Sequence, residues 1–187
     1  MEEFQDISEI IAAVTGLIYI IQAARLKRNA WFFGGISTLI FAYIFIKINL
    51  YVDGTLNIYY IIMAIYGWFS WQSIEQKHDV SRLKIAQLIF AVIGTLIATA
   101  ILSLILIEYT EADLPVFDSF IGSASVTATW LTVKKKIENW PFWICANAVA
   151  IWVCMQKGLN YTAVLMAVYF ILSITGWIQW HKNVRHA

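Results

Sequence analysis

Trp140, Trp143 and Asn147 stand at i, i+3 and i+7, and in a helix that spacing puts all three on one face. Trp143 and Asn147, one turn apart, would set a flat π surface beside an amide able to donate and to accept hydrogen bonds. That pairing suits an aromatic heterocycle carrying a carboxamide or sugar hydroxyls. Asn147 is the most informative single residue, because it is the only Asn or Gln near the middle of an apolar stretch. In a dry site an unpaired amide costs several kcal/mol, so it must face a cavity or a partner. The alternative to ligand contact is a bridge between two helices.

Tyr60, Ala64, Gly67, Trp68 and Trp71 form a further stripe, and Tyr169, Ser173, Gly176, Trp177 and Trp180 form a similar one. Gly67 and Gly176 read as points of close helix approach, and Trp68 and Trp177 as residues lining an inner gate. Trp71 and Trp180 read equally as interfacial belt residues and as functional ones. Ser123, Thr127 and Trp130 make a small polar stripe facing the same cavity, although hydroxyls also satisfy carbonyls of their own helix. The candidate substrate-binding set is Trp143, Asn147, Trp130, Thr127, Tyr169, Ser173, Trp68 and Trp177. Glu9 and Asp118 occupy equivalent places near the outer ends of two stretches. Stabilisation by the helix dipole is favoured over proton or cation binding there.

No Lys or Arg occupies the centre of a stretch, so no buried base stands ready for a phosphate or carboxylate. Phosphate-loop, His-rich and Ser/His/Asp signals are absent. Cys145 and Cys154, nine positions apart on one stretch, are too distant for a disulfide and read as packing residues. No catalytic residue, metal or cofactor is expected, and an enzyme is the weak alternative.

The elements that must position these residues are long apolar helices. Of 187 residues 60% are hydrophobic and only 13% charged, with a mean hydropathy of +0.69. A soluble domain holds roughly 45–50% apolar residues. A bilayer core needs about 20 apolar residues per helix, and the chain divides into seven such stretches, at 6–24, 30–47, 52–72, 83–107, 113–133, 138–156 and 159–180. The fold class expected is an all-α integral membrane protein of seven transmembrane helices, with residues 1–187 as a single membrane domain. Glu2, Glu3 and Asp6 precede the first stretch without a base, the reverse of a signal peptide, so it reads as a retained helix.

Basic residues gather in cytoplasmic loops. Arg25, Lys27, Arg28, Lys77, Arg82, Lys84, Lys134, Lys135, Lys136, Lys182 and Arg185 all fall on one side if the N-terminus is outside, leaving Lys47 and Lys157 on the other. The C-terminus is then cytoplasmic. The basic loops express topology rather than nucleic-acid binding.

A shift of 109 residues pairs Trp31 with Trp140, Phe33 with Phe142, Tyr60 with Tyr169, Gly67 with Gly176, Trp68 with Trp177 and Trp71 with Trp180, without a gap. Corresponding stretches are four apart, so both halves enter the membrane with the same polarity. The expectation is a 3+1+3 parallel repeat: a first half at 6–72, a linking helix at 83–107 and a second half at 113–180. Two similar bundles that rock about a midplane site are a transporter layout. A receptor or scaffold built on an old duplication is the other reading.

Arg25-x-x-x-Asn29-x-Trp31, Gly67-Trp68-x-x-Trp71, Trp130-Leu131 followed by Lys136-x-Glu138-x-Trp140-x-x-Trp143-x-x-x-Asn147, and Gly158-Leu159-x-x-Thr162-Ala163 leading to Gly176-Trp177-x-x-Trp180 occur in this order. In that set the chain resembles, over nearly its whole length, the PnuC-type vitamin transporters, whose best-known members carry nicotinamide riboside. The resemblance implies a SWEET-like fold, a homotrimer in the bacterial inner membrane, and facilitated diffusion made one-way by cytoplasmic phosphorylation of the substrate. It also implies that Trp143 and Asn147 match the family's tryptophan-and-asparagine motif and contact substrate. Relatives of the same architecture carry thiamine or riboflavin, and thiamine, also an aromatic cation, is the alternative substrate. A seven-helix receptor or sensor binding an aromatic ligand is the second alternative. The absence of midplane acids predicts no ion coupling. The partners expected are a small vitamin and membrane lipid, with no nucleic acid.

Overall fold

The computed structural model describes residues 2–47, 51–72 and 80–184, of which 2–6 and 51–53 are described by their backbone alone. Lys77 and Arg185, two of the bases used above for orientation, lie outside the described residues. Among the described residues seven α-helices follow one another: α1 (Glu2–Ala24), α2 (Asn29–Lys47), α3 (Tyr51–Ser70), α4 (Ile85–Tyr109), α5 (Pro115–Val133), α6 (Asn139–Gln156) and α7 (Asn160–His181). Their bounds follow the apolar stretches to within a few residues. A chain in lipid must satisfy every backbone donor and acceptor internally, and helices do so within one segment. Pro115 opens α5 at the position where a missing N–H costs nothing, and Gly158, at φ 70°, follows α6 in the left-handed conformation that ends helices.

Among the described residues, α1, α2, α4 and α7 are long and apolar enough to cross a membrane by composition alone. Helix α5 is more polar because it turns its hydroxyls inward: Ser119, Ser123, Ser125, Thr129 and Thr132 are all buried. Helix α4 is the opposite case. Ile89, Phe90, Ile93, Leu96, Ile97 and Leu104 are exposed, while its buried positions include Thr95, Thr99 and Ser103. An apolar outside and a hydroxyl-lined inside are what a helix facing acyl chains requires.

The chain divides into two compact units, one holding α1–α3 and the other α4–α7. In the first, α2 packs against both α1 and α3. In the second, each helix packs against its neighbour in sequence, from α4 to α7.

Two features recur at the offset of 109. Among the described residues, Leu26 and Lys135 are the two non-glycine residues with positive φ, at 55° and 50°. Each ends its helix in the same turn: Lys27 N–H donates to the Gln22 carbonyl at 2.9 Å, and Lys136 N–H to the Leu131 carbonyl at 2.9 Å. The bond five residues back captures a carbonyl that the helix end would leave unpaired. Further along, Trp31 meets Trp71 edge-on at 5.3 Å, and Trp140 meets Trp180 edge-on at 5.4 Å. Trp71 and Trp180 are 5% and 0% exposed. Both pack against a second tryptophan inside the fold, which is not the place of a lipid-facing belt residue.

At the basic end of the second unit, residues 80–83 form an extended strap. Val80 pairs with Val184 and Ser81 with Lys136 as short parallel bridges. Ser81 N–H donates to the Lys135 carbonyl, and Ile137 N–H to the Ser81 carbonyl, each at 3.1 Å. Lys136 Nζ donates to Ser81 Oγ at 2.9 Å, and Leu83 N–H to Glu138 Oε2 at 3.1 Å. The apolar-run reading gave no sign of this strap, because two-residue pairing leaves no periodicity.

Candidate functional site

Helix α6 presents the pair that the sequence singled out. Pro141 lies in the first turn of α6, where a proline is tolerated. Asn139 Nδ2 ties the entry of α6 to the Lys136 carbonyl at 2.6 Å. From that start the helical period places Trp143 and Asn147 one turn apart on the same face.

Asn147 is 7% exposed. Its Nδ2 donates to Ser173 Oγ on α7 at 3.2 Å, and the Ser173 hydroxyl donates to the Tyr169 carbonyl at 2.8 Å. The bridge between helices weighed above therefore exists, and it occupies one of the two Nδ2 protons. Among the described residues none donates to Asn147 Oδ1. Trp143, half-buried, points its indole Nε1 at Thr132 Oγ1 on α5 at a long 3.4 Å. Thr132 gives its own proton to the Ala128 carbonyl at 2.8 Å. Through Trp143 helix α6 meets Thr132 of α5, and through Asn147 it meets Ser173 of α7, all of them neutral groups.

Thr132 was not among the sequence candidates. Thr127 and Trp130, which were, fall elsewhere. The Thr127 hydroxyl pairs with Thr95 Oγ1 of α4 at 2.8 Å. Trp130 is 47% exposed with the Lys134 ammonium 4.9 Å from its ring. At about 100° per residue, Thr132 and Trp130 point to opposite sides of α5, so choosing the Trp130 face excluded the Thr132 face. Only the site of Trp143 could have revealed the difference. Trp177, on α7, is 42% exposed.

Trp68 belongs to the first unit. The Arg28 guanidinium lies 3.9 Å from its ring centroid, and Arg28 Nε donates to the Trp68 carbonyl at 2.8 Å. Arg28 thereby holds both the face and the backbone of this residue, a role beyond the topological one that its charge suggested. The residue equivalent to Arg28 at the offset of 109 is Ile137.

The two equivalent acids differ. Asp118 lies in the first turn of α5 and pairs with Lys157 Nζ at 2.9 Å, which satisfies the dipole reading and adds an ion pair. Glu9 is exposed and lies well inside α1, which starts at Glu2, so no helix terminus is near it. Cys145 is exposed and Cys154 half-buried, and both are free thiols.

A family model described as nicotinamide mononucleotide transporter matches residues 6–182. The nicotinamide riboside transporter PnuC of Escherichia coli K12 is 24% identical, over 95% of this chain and 86% of the relative. The riboflavin/roseoflavin transporter RibM of Streptomyces davaonensis is 19% identical, again over 95% of this chain and 86% of the relative. Among solved structures, the crystal structure of the vitamin B3 transporter PnuC superposes with a TM-score of 0.75 at 22% identity, covering 94% of this chain and 81% of the other. That superposition establishes a shared fold.

Proposed function

This chain belongs to the nicotinamide mononucleotide transporter family, and from that premise we propose that it is a multi-pass membrane transporter for the uptake of nicotinamide riboside. The observation that carries the reading is the family match over residues 6–182, which takes in all seven helices but for a few terminal residues. The relative named for nicotinamide riboside supports the substrate. The site chemistry supports it as well. A pyridinium ring stacked on Trp143 gains a cation–π term of ~0.5–2 kcal/mol, and Asn147 offers an amide to a carboxamide or ribose hydroxyl. No Lys or Arg lies at the middle of a helix to hold a phosphate, which favours the nucleoside over the nucleotide.

In this reading Trp143 and Asn147 contact the substrate, and Tyr169 and Ser173 close the site from α7. Helices α1–α3 and α5–α7 are the halves of a 3+1+3 parallel repeat joined by α4, in a SWEET-like arrangement within a single membrane domain. The turns at Leu26 and Lys135 and the Trp31–Trp71 and Trp140–Trp180 pairs, each recurring after 109 residues, support that repeat. The basic end faces the cytoplasm and the N-terminus lies outside, in the bacterial inner membrane. The protein works as a homotrimer by facilitated diffusion, with no ion coupling, and cytoplasmic phosphorylation traps the substrate.

Liposome uptake by the purified protein tests this, with nicotinamide riboside, thiamine and riboflavin in parallel. Saturable uptake of nicotinamide riboside that equilibrates without accumulating is expected. Thiamine or riboflavin uptake in its place would reassign the substrate, and tight binding without uptake would favour a receptor. Accumulation driven by a proton gradient would remove the uncoupled mechanism.

A further inference from the structure

Ser173 stands one hydrogen bond behind Asn147, and its own proton is already committed. A serine hydroxyl has one proton and two lone pairs. The proton goes to the Tyr169 carbonyl, four residues back on the same helix, at 2.8 Å. Towards Asn147, Ser173 Oγ therefore offers only a lone pair, and Asn147 must answer with an N–H, as it does at 3.2 Å. The flipped amide would oppose two acceptors, Oδ1 and Oγ, at a place where Asn147 is 7% and Ser173 0% exposed. Ser173, fully buried, has no solvent contact through which to relieve that repulsion.

From this proton inventory we infer that Ser173 is a positioning residue that fixes the sense of the Asn147 amide and so makes the site prefer ligands that donate a proton there, carboxamides over carboxylates. The inference rests on the reading that Asn147 contacts the substrate. With Nδ2 held by Ser173, the edge left for a ligand is the Oδ1 acceptor beside the second Nδ2 proton. A carboxamide complements that edge with its own N–H and C=O. A carboxylate has acceptors only and sets one of them against Oδ1. Without Ser173 the amide is free to turn and present both N–H groups. Ser173 thus acts through Asn147 rather than by touching the ligand.

Calorimetric titration of the whole purified protein tests this with two nucleosides, nicotinamide riboside and the same molecule bearing a carboxylate in place of the carboxamide. The natural protein is expected to prefer the carboxamide by about tenfold or more. Desolvation of the carboxylate contributes to that ratio, and it is the same in the variant. In Ser173→Ala, a small-for-small change that a helix accepts, the preference should fall several-fold, chiefly because the carboxylate gains. A ratio unchanged in Ser173→Ala, or equal binding of both nucleosides by the natural protein, overturns the inference. If the natural protein binds neither, the substrate reading fails, and the bond is judged alone by thermal unfolding of Asn147→Ala, Ser173→Ala and the double variant. Losses that do not add support the coupling, and additive losses overturn it.

Discussion

The six-membered ring of Trp140 occupies the space beside Gly176 where a Cβ would have to stand. Trp180, one turn further along α7, closes on the same indole edge-on at 5.4 Å. In the first unit Trp31 fills the corresponding space beside Gly67, with Trp71 edge-on at 5.3 Å. A missing side chain on one helix and the largest side chain on its neighbour therefore set the depth at which the two helices meet. Trp31 Nε1 and Trp140 Nε1 are both buried without a hydrogen-bond partner among the described residues, at a cost of about 1–3 kcal/mol each. Ring packing at these positions must exceed that cost.

Gly176→Ala and Gly67→Ala should each destabilise the protein by about 1–3 kcal/mol, the range for overpacking. Gly94 of α4 is a helical glycine with nothing within 4 Å of an added Cβ. There the same substitution removes only the entropic cost of glycine, and Gly94→Ala should be neutral or stabilising by up to about 1 kcal/mol. Thermal unfolding in one detergent decides it; equal shifts at Gly94 and Gly176 would refute the account of the pair.

Asn147→Ala should weaken binding of nicotinamide riboside by about tenfold or more while the purified protein stays folded. Trp143→Ala should weaken it by a comparable factor through lost stacking, and Trp143→Phe by less, since phenylalanine keeps a smaller π face. Isothermal titration gives all three affinities. Unaltered affinity in Asn147→Ala would remove that residue from the site.

Lys135 holds φ at 50°, a conformation that β-branched residues scarcely reach. Lysine already carries the left-handed penalty of about 1–2 kcal/mol, and Lys135→Val should cost further stability because β-branching adds to it. Lys135→Gly, which removes that penalty, should fare better than the valine variant. If the two variants unfold at the same temperature, the turn is not held in this conformation.

The Lys157–Asp118 pair is about 30% exposed on each side, at 28% and 31%. Pairs of that exposure contribute ~0.2–1 kcal/mol and weaken in salt. Asp118→Asn should therefore lower the unfolding temperature slightly at low ionic strength and negligibly at 1 M salt, where screening is ~3 Å. A large loss that persists in salt would point to a buried role for Asp118.

Much of this protein was legible in its residues. Seven helices could be read because the bilayer sets their length, and an apolar run of about 20 residues has few other uses. Trp143 and Asn147 could be placed on one face from the helical period alone, and the close approach at Gly67 and Gly176 followed from their size. The sequence by itself thus determined which residues share a helix and a face. It did not determine which neighbour that face meets. In a membrane the outward side of a helix is as apolar as the packed side, so hydropathy cannot tell the buried Trp180 from an interfacial tryptophan, or the Thr132 side of α5 from the Trp130 side. The left-handed turns at Leu26 and Lys135 carry no glycine to announce them. The proton of Ser173, and with it the sense of Asn147, depends on a carbonyl and an amide reached through two different helices. Those choices are three-body contacts, and only the folded chain makes them.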